Sequence, residues 1–374
     1  MRCFSPHRRL WEECETNLRA KAPRYLGDQS EVSAYFSAPV TSLFPNDHAC
    51  EGAKIGFRQG AAWRVIGGMS TLFKTIAVVG SGALGLYYGG RLARAGNAVR
   101  FLARSDLAVL RARGIVVRAP DGHFTLPEVT VAATPEEIGS VELVVITLTA
   151  TANDQLTRLL PPLLHAGTVV LNLQNGLGVD EAAAAVVGPE RTVGGLCFVC
   201  VNRTEPGIAE CTMAGEIMLG EFAGASQERT HALADLFGRA GVKLSVNECL
   251  AGARWHKLVW NVPFNGLAVA AGGISTADIL RSTALEAEVW ALMREVQSIA
   301  AAHGVVISDA FLNEQVERTR PLGDYKPSTL LDFLAGKPLE LEPIWGEPLR
   351  LAQAKGVPAP RLQALYAALA RSGW

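Results

Sequence analysis

The sequence predicts an α/β protein: a doubly wound parallel sheet followed by an all-helical C-terminal domain. Three observations carry that expectation. From residue 75 to about 196, short apolar runs alternate with amphipathic segments, the pattern of parallel strands joined by crossover helices. From Glu248 onward the apolar spacing is helical, over 248–270, 283–303, 309–318, 327–335 and 344–371, the last interrupted at Gly356-Val357-Pro358. A chain of 374 residues is also long enough for two sizeable cores.

Residues 1–68 mix charge, proline, glycine and isolated aromatics such as Trp11, Tyr25 and Trp63 without a sustained period. They are expected to form a poorly ordered extension, with Met69 as the natural start just ahead of the first strand. A targeting peptide is disfavoured by Glu12, Glu13 and Glu15, since transit peptides are poor in acids. Residues 69–245 then form the sheet domain and residues 246–374 the helical one, with a small substrate expected in the cleft between them.

Ile76 to Val79 is an apolar run that stops at Gly80, as a buried parallel strand does before it turns. The turn reads Gly80, Ser81, Gly82, Ala83, Leu84, Gly85 and opens an amphipathic helix. Gly80 permits the tight turn, Gly82 lets backbone approach a pyrophosphate, and Gly85 lets the helix close onto the strand. A second strand, Ala98 to Leu102, completes the order of a Rossmann-type dinucleotide site. Where an NAD site places Asp or Glu, about 20 residues after the turn, this chain has Ala103, Arg104 and Ser105. A guanidinium pairs with a 2′-phosphate and a serine hydroxyl adds a donor, so NADP is favoured, with Arg104 as its reader. The competing reading gives the ribose to Asp106 and leaves Arg104 as a surface charge.

Further strands are expected at 141–148, 168–173 and 192–196, with helices over 154–164 and 180–187 between them and short strands within 114–131. Between 197 and 245 the pattern shifts to short hairpin-like strands near 208–211 and 215–220 and a helix from Gln227 to Ala240.

Composition narrows the function classes. A hydrophobic fraction of 49% with 19% charged residues describes a well-buried enzyme, and a formal net charge of −1 offers no general attraction for nucleic acid or an anionic membrane. No run approaches a membrane span and the N-terminus lacks a secretory core, which points to the cytoplasm. Seven scattered cysteines fit reduced thiols, and the lone Cys197-x-x-Cys200 in an apolar run is no metal site by itself.

In the segment from Arg254 to Gly266, Lys257, Asn261 and Asn265 recur every four residues and so share one helix face, while Leu258, Val259, Val262 and Leu267 supply apolar surface. Pro263 is expected to break or kink that helix between the two asparagines. His256 lies about 100° round from Lys257 and reads as packing or surface.

The glycine turn, Gln174-Asn175-Gly176, the RWHKLVWNVPFNGL segment, and the late Lys326-Pro327-Ser328-Thr329-Leu330-Leu331-Asp332 with Glu340 occur here in the order found in the ketopantoate reductase (2-dehydropantoate 2-reductase) family. The chain resembles that family over about 74–371. The resemblance implies NADPH-dependent reduction of a 2-keto acid, ketopantoate foremost, in pantothenate biosynthesis. It implies Lys257 as the catalytic lysine, with Asn175, Asn261, Asn265 and Ser328 holding substrate and Glu340 near the substrate hydroxyl and nicotinamide. Asn175, at the carboxyl end of a parallel strand, also reaches the cofactor. Glu340 alternates with Glu342, and the family pattern selects Glu340. Hydride arriving at a ketone leaves charge on oxygen, which an ammonium stabilises and protonates. One departure stands out: many members carry a lysine just after the fourth strand, where this chain has Thr149. A different branched 2-keto or 2-hydroxy acid, or a silent NADP-binding sensor, are the alternatives, and a homodimer is the assembly left open.

Overall fold

The computed structural model describes residues 72–372. The expected extension over 1–68 lies outside the described residues. The described chain divides into two compact units at Ala253/Arg254.

The first unit is built on a ten-stranded sheet: β1 (Thr75–Val79), β2 (Ala98–Leu102), β3 (Ile115–Arg118), β4 (Phe124–Leu126), β5 (Thr130–Ala132), β6 (Leu143–Ile146), β7 (Val169–Asn172), β8 (Thr192–Glu205), β9 (Ile208–Glu221) and β10 (Lys243–Val246). Its order is β4-β3-β9-β8-β7-β6-β1-β2-β5, with β10 alongside β9. Strands β1, β2, β5, β6, β7 and the start of β8 are mutually parallel. Both faces of β1 are covered. Ile76 and Val78 pack with Leu143, Val145 and Leu171 into one core, and Ala77 and Val79 with Val144, Ile146 and Val170 into another. That two-sided burial is why these strands read as unbroken apolar runs rather than alternating ones.

The register fixes where ligand-facing residues emerge. Val79 lies opposite Leu102 on one side and Ile146 on the other, and Ile146 in turn lies opposite Asn172. The residues that follow these four strands therefore leave the sheet at one edge: Gly80, Arg104, Thr147 to Thr149, and Asn175. Open parallel sheets hold their ligands at this carboxyl edge.

Three expectations are corrected here. The strand expected over 192–196 continues to Glu205 and pairs antiparallel with a single 14-residue β9, where two short strands were expected. Pro206 and Gly207 make the connection, Gly207 at φ 79°. The helix expected over 154–164 is broken into a 3₁₀ segment Ala150–Gln155, one helical turn Leu156–Leu159 and a second 3₁₀ turn Pro161–Leu163, because Pro161 and Pro162 supply no amide hydrogens to extend it. Of the cysteines, Cys197, Cys200 and Cys211 are free thiols, whereas Cys249 is disulfide-bonded and departs from the expectation.

The second unit is helical. The long helix Leu250–Ala270, most of which lies in this unit, continues through Pro263, so of the expected break or kink the break does not occur. The helix is held on several sides: Trp260 stacks on Phe264, Trp255 on His303, and Leu258, Val259, Val262 and Leu267 are buried. Packing of this extent offsets the one backbone hydrogen bond that proline removes. Around it lie helices Thr276–Arg281, Thr283–Ala302, Asp309–Thr319, Ser328–Leu334, Glu347–Ala354 and Pro360–Arg371. No helix of the described residues is long and apolar enough to cross a membrane.

Candidate active site

The glycine turn is built by close approach. A Cβ on Gly85 would lie 1.9 Å from the Gly80 carbonyl oxygen, and Gly80 itself sits at φ 111°. Both positions exclude a side chain for steric reasons. Gly82 differs: a Cβ there meets nothing within 4 Å. The space above the turn is open, as a phosphate cradle must be. The helix that starts at Ala83 has no acidic residue in its first turn and no side-chain cap, so its positive end is not neutralised from within the chain. A dinucleotide pyrophosphate fits this donor set, with Gly80, Ser81, Gly82, Ala83, Leu84 and Gly85 as its cradle.

Arg104 and Ser105 are exposed at the end of β2, while Asp106 is 1% exposed. The Asp106 carboxylate accepts from Arg203 at 2.7 Å, from the Gly207 amide at 3.3 Å and from the Ser105 hydroxyl at 2.8 Å. It is a structural anchor, so the competing ribose role for it falls away. The expected donor role of Ser105 is corrected too, because its proton is already given to Asp106. The exposed Arg104 guanidinium engages no described residue.

Farther along the same edge, Thr149 is exposed and its hydroxyl pairs with that of Thr151 at 2.8 Å. Asn175 is half-buried beside Gln174, whose amide donates to Asn153 at 2.7 Å. One residue was missed in the sequence. Thr147, 8% exposed, donates from Oγ1 to the Gly80 carbonyl at 2.7 Å and so ties β6 to the turn. A lone threonine at a strand end gives no sequence signal for that contact.

In the helical unit, Lys257 is half-buried, Asn261 is 8% exposed and Asn265 2% exposed, and all three lie along one line of the helix. Asn265 Oδ1 accepts from the Thr329 amide at 3.3 Å, which fixes the first turn of Ser328–Leu334 against this helix and brings exposed Ser328 next to it. Asn261, although buried, bonds to no described residue. Its amide is not among the fully enclosed, unpartnered groups of the described residues, so it remains reachable on this helix face. His256 is 1% exposed and meets the Phe311 ring edge-on at 4.8 Å, a packing residue.

Glu342 accepts from Tyr366 at 2.6 Å and from Arg350 at 3.3 Å, and the Glu342 interaction raises the Tyr366 pKa. Glu340 is half-buried just before that turn. The turn is pinned to the long helix by Trp345, whose indole N–H donates to the Val262 carbonyl at 3.0 Å over Gly266. A Cβ on Gly266 would lie 3.0 Å from that indole nitrogen, so glycine is what lets the turn close.

Comparison with known proteins identifies the family of the chain. The family model described as Ketopantoate reductase PanE/ApbA matches residues 76–224, and its C-terminal counterpart matches 250–372. A 2-dehydropantoate 2-reductase of Nostoc sp. is 38% identical over 295 residues, 78% of this chain and 92% of its own. The crystal structure of 2-dehydropantoate 2-reductase from Geobacter metallireducens superposes with a TM-score of 0.78 at 41% identity, covering 80% of this chain and all of that one (100%). The enzyme of the same name from Methylococcus capsulatus gives 0.73 at 33% identity, over 78% and 94% of the two chains. The chain therefore belongs to the ketopantoate reductase family and is an oxidoreductase.

Proposed function

We propose that this enzyme catalyses the NADPH-dependent reduction of 2-dehydropantoate to pantoate, with residues 69–245 binding the nucleotide and residues 246–374 the keto acid. The observation that carries the reading is the Asn261 amide, with no side-chain hydrogen bond to a described residue, on the same helix line as Lys257 and Asn265. An ammonium flanked by amides suits a 2-keto acid: one charge for the developing alkoxide, and neutral donors that orient the rest without competing with it.

Bound NADPH supplies the hydride. The protein's own residues do the remaining work. Lys257 stabilises the charge that gathers on the carbonyl oxygen and delivers the proton to it. Asn261, Asn265, Asn175 and Ser328 orient the keto acid, and Glu340 accepts from its hydroxyl. Arg104 holds the 2′-phosphate and the glycine turn the pyrophosphate. The relatives that bear the name 2-dehydropantoate 2-reductase support ketopantoate as substrate. The cytoplasm is the proposed compartment and a homodimer the proposed assembly.

Turnover with NADPH across a panel of 2-keto acids tests the proposal. Ketopantoate is expected to give the highest kcat/KM. Preference for another branched acid would replace the substrate, and NADPH binding without any turnover would replace the activity with a sensor role.

A further inference from the structure

We propose that Thr147 is a positioning residue for the dinucleotide, acting through the peptide that joins Gly80 to Ser81. The inference rests on the reading that the pyrophosphate lies over the glycine turn. Thr147 follows β6 where it runs beside the end of β1, and its backbone amide donates to the Val79 carbonyl at 2.9 Å. Its hydroxyl lies 2.7 Å from the Gly80 carbonyl oxygen and 3.3 Å from that of Val79. A hydroxyl has one proton to give, and the shorter contact takes it.

The direction of that carbonyl decides the direction of an amide. In a trans peptide the C=O and the following N–H point opposite ways, so holding the Gly80 oxygen toward Thr147 aims the Ser81 N–H away from it. Ser81 is half-buried at the turn surface, and its N–H finds no acceptor among the described residues. It joins the donors that face a phosphate. Without the hydroxyl the Gly80 carbonyl loses the side-chain hydrogen bond that holds this orientation, and glycine can rotate where another residue cannot. Gly85 has a second duty in this arrangement. A Cβ there would lie 2.7 Å from Thr147 Oγ1, so the missing side chain also admits the hydroxyl that orients the turn.

The test separates pyrophosphate from 2′-phosphate. NADPH and 2′-AMP, which lacks the pyrophosphate, are titrated by fluorescence and calorimetry against wild type, Thr147→Val, Thr147→Ala and Thr147→Ser. Loss of the hydroxyl in either of the first two is expected to weaken NADPH about tenfold, as for one hydrogen bond with its misaligned donor, and to raise the KM for NADPH with little change in kcat. 2′-AMP binding is expected to stay near wild type, the melting temperature to fall only modestly from the lost Gly80 contact, and Thr147→Ser to restore NADPH binding. Wild-type NADPH affinity in folded Thr147→Val and Thr147→Ala, equal losses for 2′-AMP, or failure of serine to restore binding would each overturn the proposal. Gly82→Asp, which places a carboxylate in the cradle, tests the underlying reading separately: NADPH binding that survives it removes the pyrophosphate from the turn altogether.

Discussion

Asp106 accepts from Arg203 at 2.7 Å, a bond that joins the loop after β2 to β8 and leaves the Asp106 side chain 2% exposed. A carboxylate engaged in this way cannot also receive a ribose hydroxyl. Arg104, two residues earlier and exposed, is the residue proposed to tell NADPH from NADH. Arg104→Ala is expected to weaken NADPH about tenfold, the lower end for a charged hydrogen bond because the site is solvated, and to leave NADH nearly unchanged. Dissociation constants for both cofactors check it. Equal losses would make Arg104 a structural residue.

Lys257→Ala is expected to lower kcat with ketopantoate by about 10²- to 10³-fold, in the range for loss of a proton donor that also stabilises the oxyanion. The NADPH dissociation constant should move far less. Steady-state kinetics beside a cofactor titration make the comparison, and near-normal turnover would take Lys257 out of the mechanism.

The two buried asparagines separate stability from binding. Asn265 accepts a buried backbone amide from Thr329, so Asn265→Ala strands that N–H at a cost of about 1–3 kcal/mol. Asn261 has no such bond within the described protein, and Asn261→Ala should cost less stability while raising the KM for the keto acid. Thermal melts and kinetics on both variants decide the matter. A larger fall in melting temperature for Asn261→Ala would show that its amide serves the fold.

Much of this was legible in the sequence because it rests on local rules. A buried parallel strand is an apolar run wherever it lies, and a glycine turn after such a run has few other uses. The i, i+4 spacing of Lys257, Asn261 and Asn265 survives because a helix fixes the face whatever surrounds it. What stayed hidden depends on partners distant in sequence. Asp106 and Arg104 differ in role only because Arg203 arrives from 97 residues away. The partners of Glu342, Tyr366 and Arg350, are likewise not revealed by the alternation of the segment. The long β8–β9 hairpin did have a signal in Pro206-Gly207, but its bulges near Cys200 and Arg203 blur the alternation that marks a strand. Pro263 is the opposite case: of the break or kink the local rule predicts, the break is absent because tertiary packing keeps the helix continuous.

Thr149 offers a test of the one departure from the family pattern. It follows β6 at the sheet edge that also carries Gly80 and Arg104, and its side chain is exposed, with only the Thr151 hydroxyl as partner at 2.8 Å. Replacing it therefore breaks one solvated contact, and the fold should be unaffected within about 0.5 kcal/mol. A neutral hydroxyl contributes roughly 1 kcal/mol to a phosphate or ribose neighbour, whereas a charged donor contributes roughly 1.5–3 kcal/mol before solvent screening. Thr149→Lys is accordingly expected to tighten NADPH several-fold, with an advantage that shrinks between low and high salt as an exposed pair is screened. Wild type, by this reasoning, relies on Arg104 for most of its charge complementarity, and combining Thr149→Lys with Arg104→Ala should recover part of the lost affinity. Titration of NADPH into both proteins at two ionic strengths supplies the check. Unchanged or weaker binding by well-folded Thr149→Lys would place residue 149 away from the cofactor, and the departure would then have no bearing on affinity.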